Sequence, residues 1–375
     1  MALKNGKAAC MKLKGRLFLV LGAAACPLLT AQTMDSLSMK DYRIMSFCVA
    51  TTTPNTIVWL DNNDHVLMAC RQGQTLDHLR SLVTPVTDSQ IRLLQDWGLL
   101  SDRNDSLFTS IPILGTTETG TLRTAMRIAA AAAVDSLRTD LCTWRRLLRR
   151  RGGRTSEYTV LFSYILDDLA WRALEQQGRI RKRTLSAERP FWDGITWAVT
   201  PKRTFHCGTN SYSDSGVTVA INWCPRSLKK MSAFMYDDAT IGNLMDNLKG
   251  PSRLSDRALR RTLLRYGVVD KTGLLLVPVF PADADDSLAS CCRALAREAV
   301  ARFLASSDLD TIRDQTCVTD PEAMLVIAYH EFMWEFMDIA EERCLIAKPF
   351  LFSHPDQAKD SNIGDVVYIV TTSEP

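Results

Sequence analysis

A turn-and-strand pattern that occurs twice constrains this chain more than any other feature. Trp97-Gly98-Leu99-Leu100, a polar turn and Ile111-Pro112-Ile113 reappear as Tyr266-Gly267-Val268-Val269, a shorter turn and Val277-Pro278-Val279. In each case a helical apolar pattern stops at a glycine, which lets the chain turn where a side chain would clash. Further landmarks follow in the same order: Trp171 with Trp334, Arg189-Pro190-Phe191 with Lys348-Pro349-Phe350, and Gly194 to Val199 with Val366 to Thr371. The spacing between matched points drifts by roughly ten residues, the size of short loop insertions. The pattern predicts an α+β chain of two tandem, diverged copies, residues 42–203 and 204–375.

A length of 375 residues suits two domains, and 46% hydrophobic against 23% charged residues argues against disorder. The formal charge of +3 is concentrated at the start. Lys4, Lys7, Lys12, Lys14 and Arg16 precede an apolar run from Leu17 to Thr30, with no acidic residue among them. That arrangement predicts a signal peptide over residues 1–31, cleaved after Ala31, and a linker over 32–41. Without the leader the chain is slightly negative. Cys26 follows three alanines, so lipid attachment there is the alternative, although a lipobox leucine is missing. No later segment has the roughly 20 apolar residues of a spanning helix.

Eleven cysteines, two of them in the leader, leave an odd number. Cys48 and Cys70 flank one expected hairpin and Cys207 and Cys224 another, so Cys48–Cys70 and Cys207–Cys224 are candidate disulfides in an exported chain. Small buried thiols are the competing reading.

Tyr42 to Ala50, Thr56 to Leu60 and Val66 to Ala69 read as strands around the turn cluster Asp61 to Asp64. A helix capped by Thr87 or Asp88 carries Ile91, Leu94 and Trp97 inward, and a wing of two strands, the second Leu107 to Leu114, follows Gly98. Helices are expected over Thr121 to Arg151, Tyr158 to Gln177, Leu288 to Leu304 and Glu322 to Glu342. Each copy thus has a small antiparallel sheet, a helix-and-wing segment and two longer helices. Helix, tight turn and two-stranded wing resemble a winged-helix module over one short stretch of each copy. The resemblance implies nucleic-acid recognition.

The best polar constellation lies on the last helix of each copy. Tyr329-His330-Glu331 stands one turn before Trp334, and Asp167-Asp168 one turn before Trp171. His330 as general base with Glu331 as partner would make a hydrolase with its site between the copies, with Tyr329, Asp167 and Asp168 as further candidates. A zincin needs a second histidine four residues after the first, and Trp334 occupies that place. Packing at a helix–sheet junction, with polar groups bonded to backbone, is the structural reading. Five histidines and no ligand spacing predict no metal, and no phosphate-binding or dinucleotide motif predicts no cofactor. Asp283 to Asp286 lack the glycine and glutamate of a calcium loop and suit a helix N-terminus.

Arg145, Arg146, Arg149, Arg150, Arg151 and Arg154 form a basic cluster around a helix end; the first four are a candidate surface for an anionic polymer or envelope protein, with Trp171 and Trp334 as aromatic candidates. Nucleic acid is disfavoured by the leader, by the mature charge and by the lack of a matching run in the second copy. The sequence therefore reads as an exported, envelope-associated binding or assembly protein. A hydrolase using His330 and Glu331 and a winged-helix nucleic-acid binder are the alternatives.

Overall fold

The computed structural model describes residues 37–49, 52–151, 156–248, 254–281, 286–316, 318–358 and 363–372. The expected leader, Cys26, Arg154 and Asp283 to Asp285 lie outside these residues.

Strand β1 (Arg43–Val49) leads into helices α1 (Pro54–Val58) and α2 (Asn63–Ala69), where the sequence pattern predicts strands. Pro54 sits in the first turn of α1, where its missing N–H costs nothing. Asn63 Nδ2 donates to the Ile57 carbonyl (2.7 Å) and holds the two helices together. Burial of Ile57, Val58, Val66 and Leu67 in one small core outweighs the β propensity of Thr56-Ile57-Val58. α3 (Leu76–Leu82) and α4 (Asp88–Asp96) each start at a threonine whose hydroxyl accepts a backbone N–H, from His78 and Gln90 respectively. α4 buries Ile91 and Leu94, Trp97 follows as a buried cap, and Gly98 turns the chain at φ +62°. β2 (Leu100–Arg103) and β3 (Ser106–Thr109) form the expected hairpin, and Gln74, ahead of α3, bridges Leu107. The strand expected from Leu107 to Leu114 is therefore two, because β4 (Ile113–Leu114) joins a different sheet.

Two helices, α5 (Thr116–Ser136) and α6 (Arg138–Arg150), replace the single long one and meet at Leu137. A continuous rod follows: α7 (Glu157–Thr159), a π-helix (Val160–Leu169) and α8 (Ala170–Gln176), ahead of β5 (Asp193–Val199). The second half contains β6 (Gly208–Asp214), β7 (Val217–Trp223), α9 (Leu228–Met235), α10 (Asp238–Leu248), α11 (Arg257–Arg265) and β8 (Val279–Pro281). It ends with α12 (Ser287–Ser306), α13 (Leu309–Thr316), α14 (Pro321–Glu342), α15 (Phe350–Ser353) and β9 (Val367–Thr371). Asp256, Asp286 and Asp320 cap α11, α12 and α14.

The chain is α+β, with small sheets among long helices. One sheet has the order β1-β5-β4 and another β6-β7-β9-β8. β5 runs antiparallel to β1 and parallel to β4, and β9 runs antiparallel to β7 and parallel to β8. Both sheets are mixed, not antiparallel. The reason is the connection: β4 reaches β5, and β8 reaches β9, through a run of helices, and such a crossover permits parallel pairing.

Each sheet belongs to one half of the chain, but the helices trade partners. Arg123–Glu331, Arg127–Glu335 and Asp135–Arg343 are ion pairs of constant separation, 208 residues, so α5 and α14 run parallel and in step. α12 packs in turn on the π-helix and α8 of the first half. One apolar core consequently runs from Leu114 to Val370, and a smaller one sits under α1 to α4.

Candidate functional site

On α14 the polar residues Tyr329, His330 and Glu331 are buried, and on the π-helix Asp167 and Asp168 are half-buried. His330 is 8% exposed, with ring neighbours Trp171, Trp197 and Phe47 at 4.8, 4.9 and 6.1 Å. Its Nδ1 lies 2.8 Å from the Val326 carbonyl of its own helix. Burial drives its pKa down to about 4, so the imidazole is neutral at pH 7. Tyr329, fully buried, donates to the Leu166 carbonyl (2.8 Å). Asp167 accepts from the Trp171 indole (3.1 Å), and burial raises its carboxyl to about 7. His330 and Tyr329 are packed in the core and bonded to backbone carbonyls, whereas Asp167 is half-buried. Asp168, paired with Arg172 (2.9 Å), alone lines an open cleft.

Glu331 belongs to an ionic ladder that sequence reading misses. It accepts from Arg123 (3.0 Å) and Arg203 (2.7 Å); Glu335 accepts from Arg127 (3.1 Å) and Arg203 (2.6 Å). Asp338 and Glu342 extend the ladder. Its signal was available as arginines four residues apart on α5 facing glutamates four residues apart on α14, but nothing in one sequence says that these helices meet.

Trp171 and Trp334 are buried, the latter stacked on Phe162 at 5.1 Å, and so offer no binding surface. The arginine cluster is partly spent on the fold. Arg145 and Arg149 share Glu157 (2.8 and 2.6 Å), and Arg151 pairs with Asp286. Arg146 and Arg150 are exposed on α6. The described cysteines are free thiols. Cys48 and Cys70 flank no hairpin, since α1 and α2 replace it. Cys207 and Cys224 are buried immediately beyond the paired ends Gly208 and Trp223 of β6 and β7, and burial raises the Cys207 thiol. Among the described residues no cluster of His, Cys, Asp or Glu could hold a metal ion, and no helix is long and apolar enough to cross a membrane.

Three landmarks of the first half of the sequence meet elsewhere. Trp97-Gly98, Ile111-Pro112-Ile113 and Arg189-Pro190-Phe191 all line one groove of about 900 Å³. Trp97 and Phe191 stack at 5.2 Å with an 8° angle, and the Trp192 indole donates to the Trp97 carbonyl (2.7 Å). Phe191 remains 45% exposed. Thr319, Asp320 and Ala323, at the start of α14, face this aromatic wall from the other half of the chain.

The floor is β5. On one flank β1 pairs with it along its whole length, from Asp193 to Val199. On the other flank β4 pairs only Ala198 and Val199, so Gly194 to Thr196 border the groove with no partner strand among the described residues. Ala198 N donates to the Pro112 carbonyl (2.9 Å) and Thr200 N to the Leu114 carbonyl (3.2 Å). Amides two residues apart on a strand point the same way, so those of Gly194 and Thr196 face the groove. Gly194 permits the tight pairing behind it: a Cβ there would lie 2.2 Å from the Phe47 carbonyl oxygen.

The groove's entrance is anchored by charge. Asp193, buried at the first position of β5, receives Arg181 through two bonds (2.6 and 2.8 Å) and Arg189 (3.1 Å). Arg183 and Glu322 join them (2.7 Å), tying the segment before β5 to α14.

No protein-family model, no curated protein and no solved structure matches this chain. Its functional reading rests on the geometry of the groove.

Proposed function

We propose that this is a non-enzymatic binding or assembly protein of the cell envelope, whose groove takes an extended segment of a partner polypeptide. The observation that carries the reading is the half-paired β5. Backbone groups that lack a partner on a strand flank favour addition of another strand, which satisfies them at every second residue. The Trp97–Phe191 stack supplies an apolar wall for an alternate side chain of the incoming segment. A peptide suits this lining better than an anionic polymer, because Arg71 is already paired with Glu118 and Arg189 with Asp193. The shared connectivity of the two halves supports reading them as diverged copies of one unit. Export rests on residues 1–31 alone, and mass spectrometry of the mature N-terminus tests it: an intact Met1 in the cytoplasm would remove the envelope from the proposal.

Peptides selected from a random display library on the purified protein test the groove. A selected peptide should slow hydrogen exchange at Gly194 and Thr196, and Phe191→Ala should weaken it roughly tenfold, the loss of one exposed aromatic contact. Binding that leaves both amides and the Phe191→Ala variant unaffected would sink the strand-addition reading.

One observation favours a second reading. α4 carries Asp88 and Asp96, with Arg92 bound to Asp96, and would repel phosphate. α11, the helix ahead of the second turn, instead exposes Arg257, Arg261 and Arg265. A nucleic-acid binder would use that face. Its mark would be a duplex DNA shift that weakens steeply with salt and disappears in an Arg257→Gln, Arg261→Gln variant.

A further inference from the structure

Two nine-residue helices end at a buried aromatic residue and a glycine turn, and their outer faces carry opposite chemistry. α4 runs into Trp97-Gly98 and α11 into Tyr266-Gly267, with the glycines at φ +62° and +70°. Counted back from those turns, Asp88, Arg92, Gln95 and Asp96 of α4 stand where Arg257, Arg261, Leu264 and Arg265 stand on α11. Positions three and four apart share a helix face, and on α11 all four are exposed. The α4 face is neutralised: Arg80 holds Asp88 at 2.6 Å and Arg92 holds Asp96 at 3.0 Å. On α11 no carboxylate among the described residues pairs with Arg257, Arg261 or Arg265, and Arg265 lies over the uncharged Tyr266 ring. Asp256 and Asp270, at the two ends of this stretch, are turned to backbone. Asp256 accepts from the amides of Ala258 and Leu259, and Asp270 from those of Thr272 and Leu274. The turn after α11 continues the face. A Cβ on Gly273 would lie 2.9 Å from Arg260 Cδ, so the loop that carries Lys271 and Leu274 rests against the helix. Leu264 and Leu274 stay 40% and 42% exposed among these cations.

We propose that α11 and the loop after it dock on a lipid surface with anionic headgroups. Arg257, Arg260, Arg261, Arg265 and Lys271, against two carboxylates engaged with backbone, complement the charge of such a surface. The two leucines decide between a membrane and a nucleic acid. A helix lying in the interface sinks apolar side chains below the headgroups while its cations stay among them, whereas phosphate contacts are polar and leave exposed leucines unburied. Leu259 and Leu263 bury the opposite side of α11, so a fixed helix presents the face. The groove plays no part, being floored by the other sheet. Docking of this kind gives the envelope reading a physical attachment, and vesicle binding reads it whether or not residues 1–31 are cleaved.

Co-sedimentation of the purified protein with two kinds of vesicle tests it, phosphatidylcholine alone and phosphatidylcholine mixed with phosphatidylglycerol. The neutral vesicles measure whatever residues 1–31 contribute, and the excess on anionic vesicles measures the face. That excess should fall as salt is added. Arg257→Gln with Arg261→Gln should weaken it roughly tenfold or more, whereas Arg146→Gln with Arg150→Gln, removing the same charge from α6, should leave it unchanged. Leu264→Gln with Leu274→Gln keeps every cation and should still weaken binding about fivefold. All three variants alter exposed side chains, and unfolding at the wild-type temperature keeps the comparison one of binding. No excess on anionic vesicles, equal weakening by the α6 variant, or indifference to the leucine variant would overturn the proposal. In the last case, a short DNA duplex that displaces the vesicles would assign the face to nucleic acid.

Discussion

α14 and the π-helix–α8 rod place polar groups at matching steps, buried on α14 and partly exposed on the rod. One step before the acidic position, α14 carries His330 and the rod carries Asp167. His330 is enclosed by aromatic rings and Asp167 accepts from the Trp171 indole, and burial pushes both toward the neutral form, the imidazole down to about 4 and the carboxyl up to about 7. At the next steps Glu331 and Glu335 on α14 are satisfied by a shared arginine, while Asp168 and Arg172 on the rod satisfy each other and leave room. The difference teaches that a buried polar residue one turn from a tryptophan is a matter of core filling here.

The largest expected effect separates the two clusters. Arg203→Met should destabilise the fold by about 3–5 kcal/mol, because Glu331 and Glu335 are then buried with one arginine fewer. Arg172→Met, at the exposed counterpart, should change stability by less than about 0.5 kcal/mol. Urea denaturation at pH 7 measures both, and equal losses would break the contrast.

The second comparison is one of pH, and its signs oppose. The folded protein holds a proton on Asp167 that the unfolded chain gives up above its ordinary 3.8, so this group lowers stability as pH rises from about 4 to 7. Folded His330 refuses a proton that the unfolded chain accepts below 6.5, so it lowers stability as pH falls from 6.5 to about 4. Asp167→Asn keeps an acceptor for the Trp171 indole and should stabilise the protein at pH 8 by on the order of 3 kcal/mol. His330→Leu should remove on the order of 2 kcal/mol of the acid-side loss. His206, lowered to about 4 by burial and by Arg43, loses stability in the same acid window and should remain to titrate in that variant. Parallel denaturation curves at pH 4.5, 6 and 8 would sharpen or cancel the opposition.

Parts of this were legible in the sequence for a physical reason. Val217 to Trp223 alternates and is a strand within the core sheet, and the apolar face of residues 321–342 is a helix from end to end. β6 is the first arm of the hairpin expected between Cys207 and Cys224, although Gly208 to Asp214 is polar on both faces and lies at a sheet edge. α1 and α2 were misread because Thr56-Ile57-Val58 carries a local β preference that the core overrides. The groove was half legible. Its aromatic and proline landmarks stand out as repeated words, but they meet only once β5 and the start of α14 bring distant stretches together. Arg123, Arg127, Arg203 and Asp193 gave no signal of their own, since their partners are far away in sequence.

The exchange of helices between halves has a consequence for how the protein comes into being. α5 is complete early in synthesis, yet the glutamates it needs lie 208 residues later. α12, likewise, closes over a rod made long before it. Neither half can seal its own interior, so closure of long loops must precede most of the gain, the condition under which chains fold slowly. A nick in the segment between β5 and β6 should then yield two fragments that are each sticky alone and mutually complementary. Assembly of this single chain is, in that sense, the docking of two partners that share a backbone.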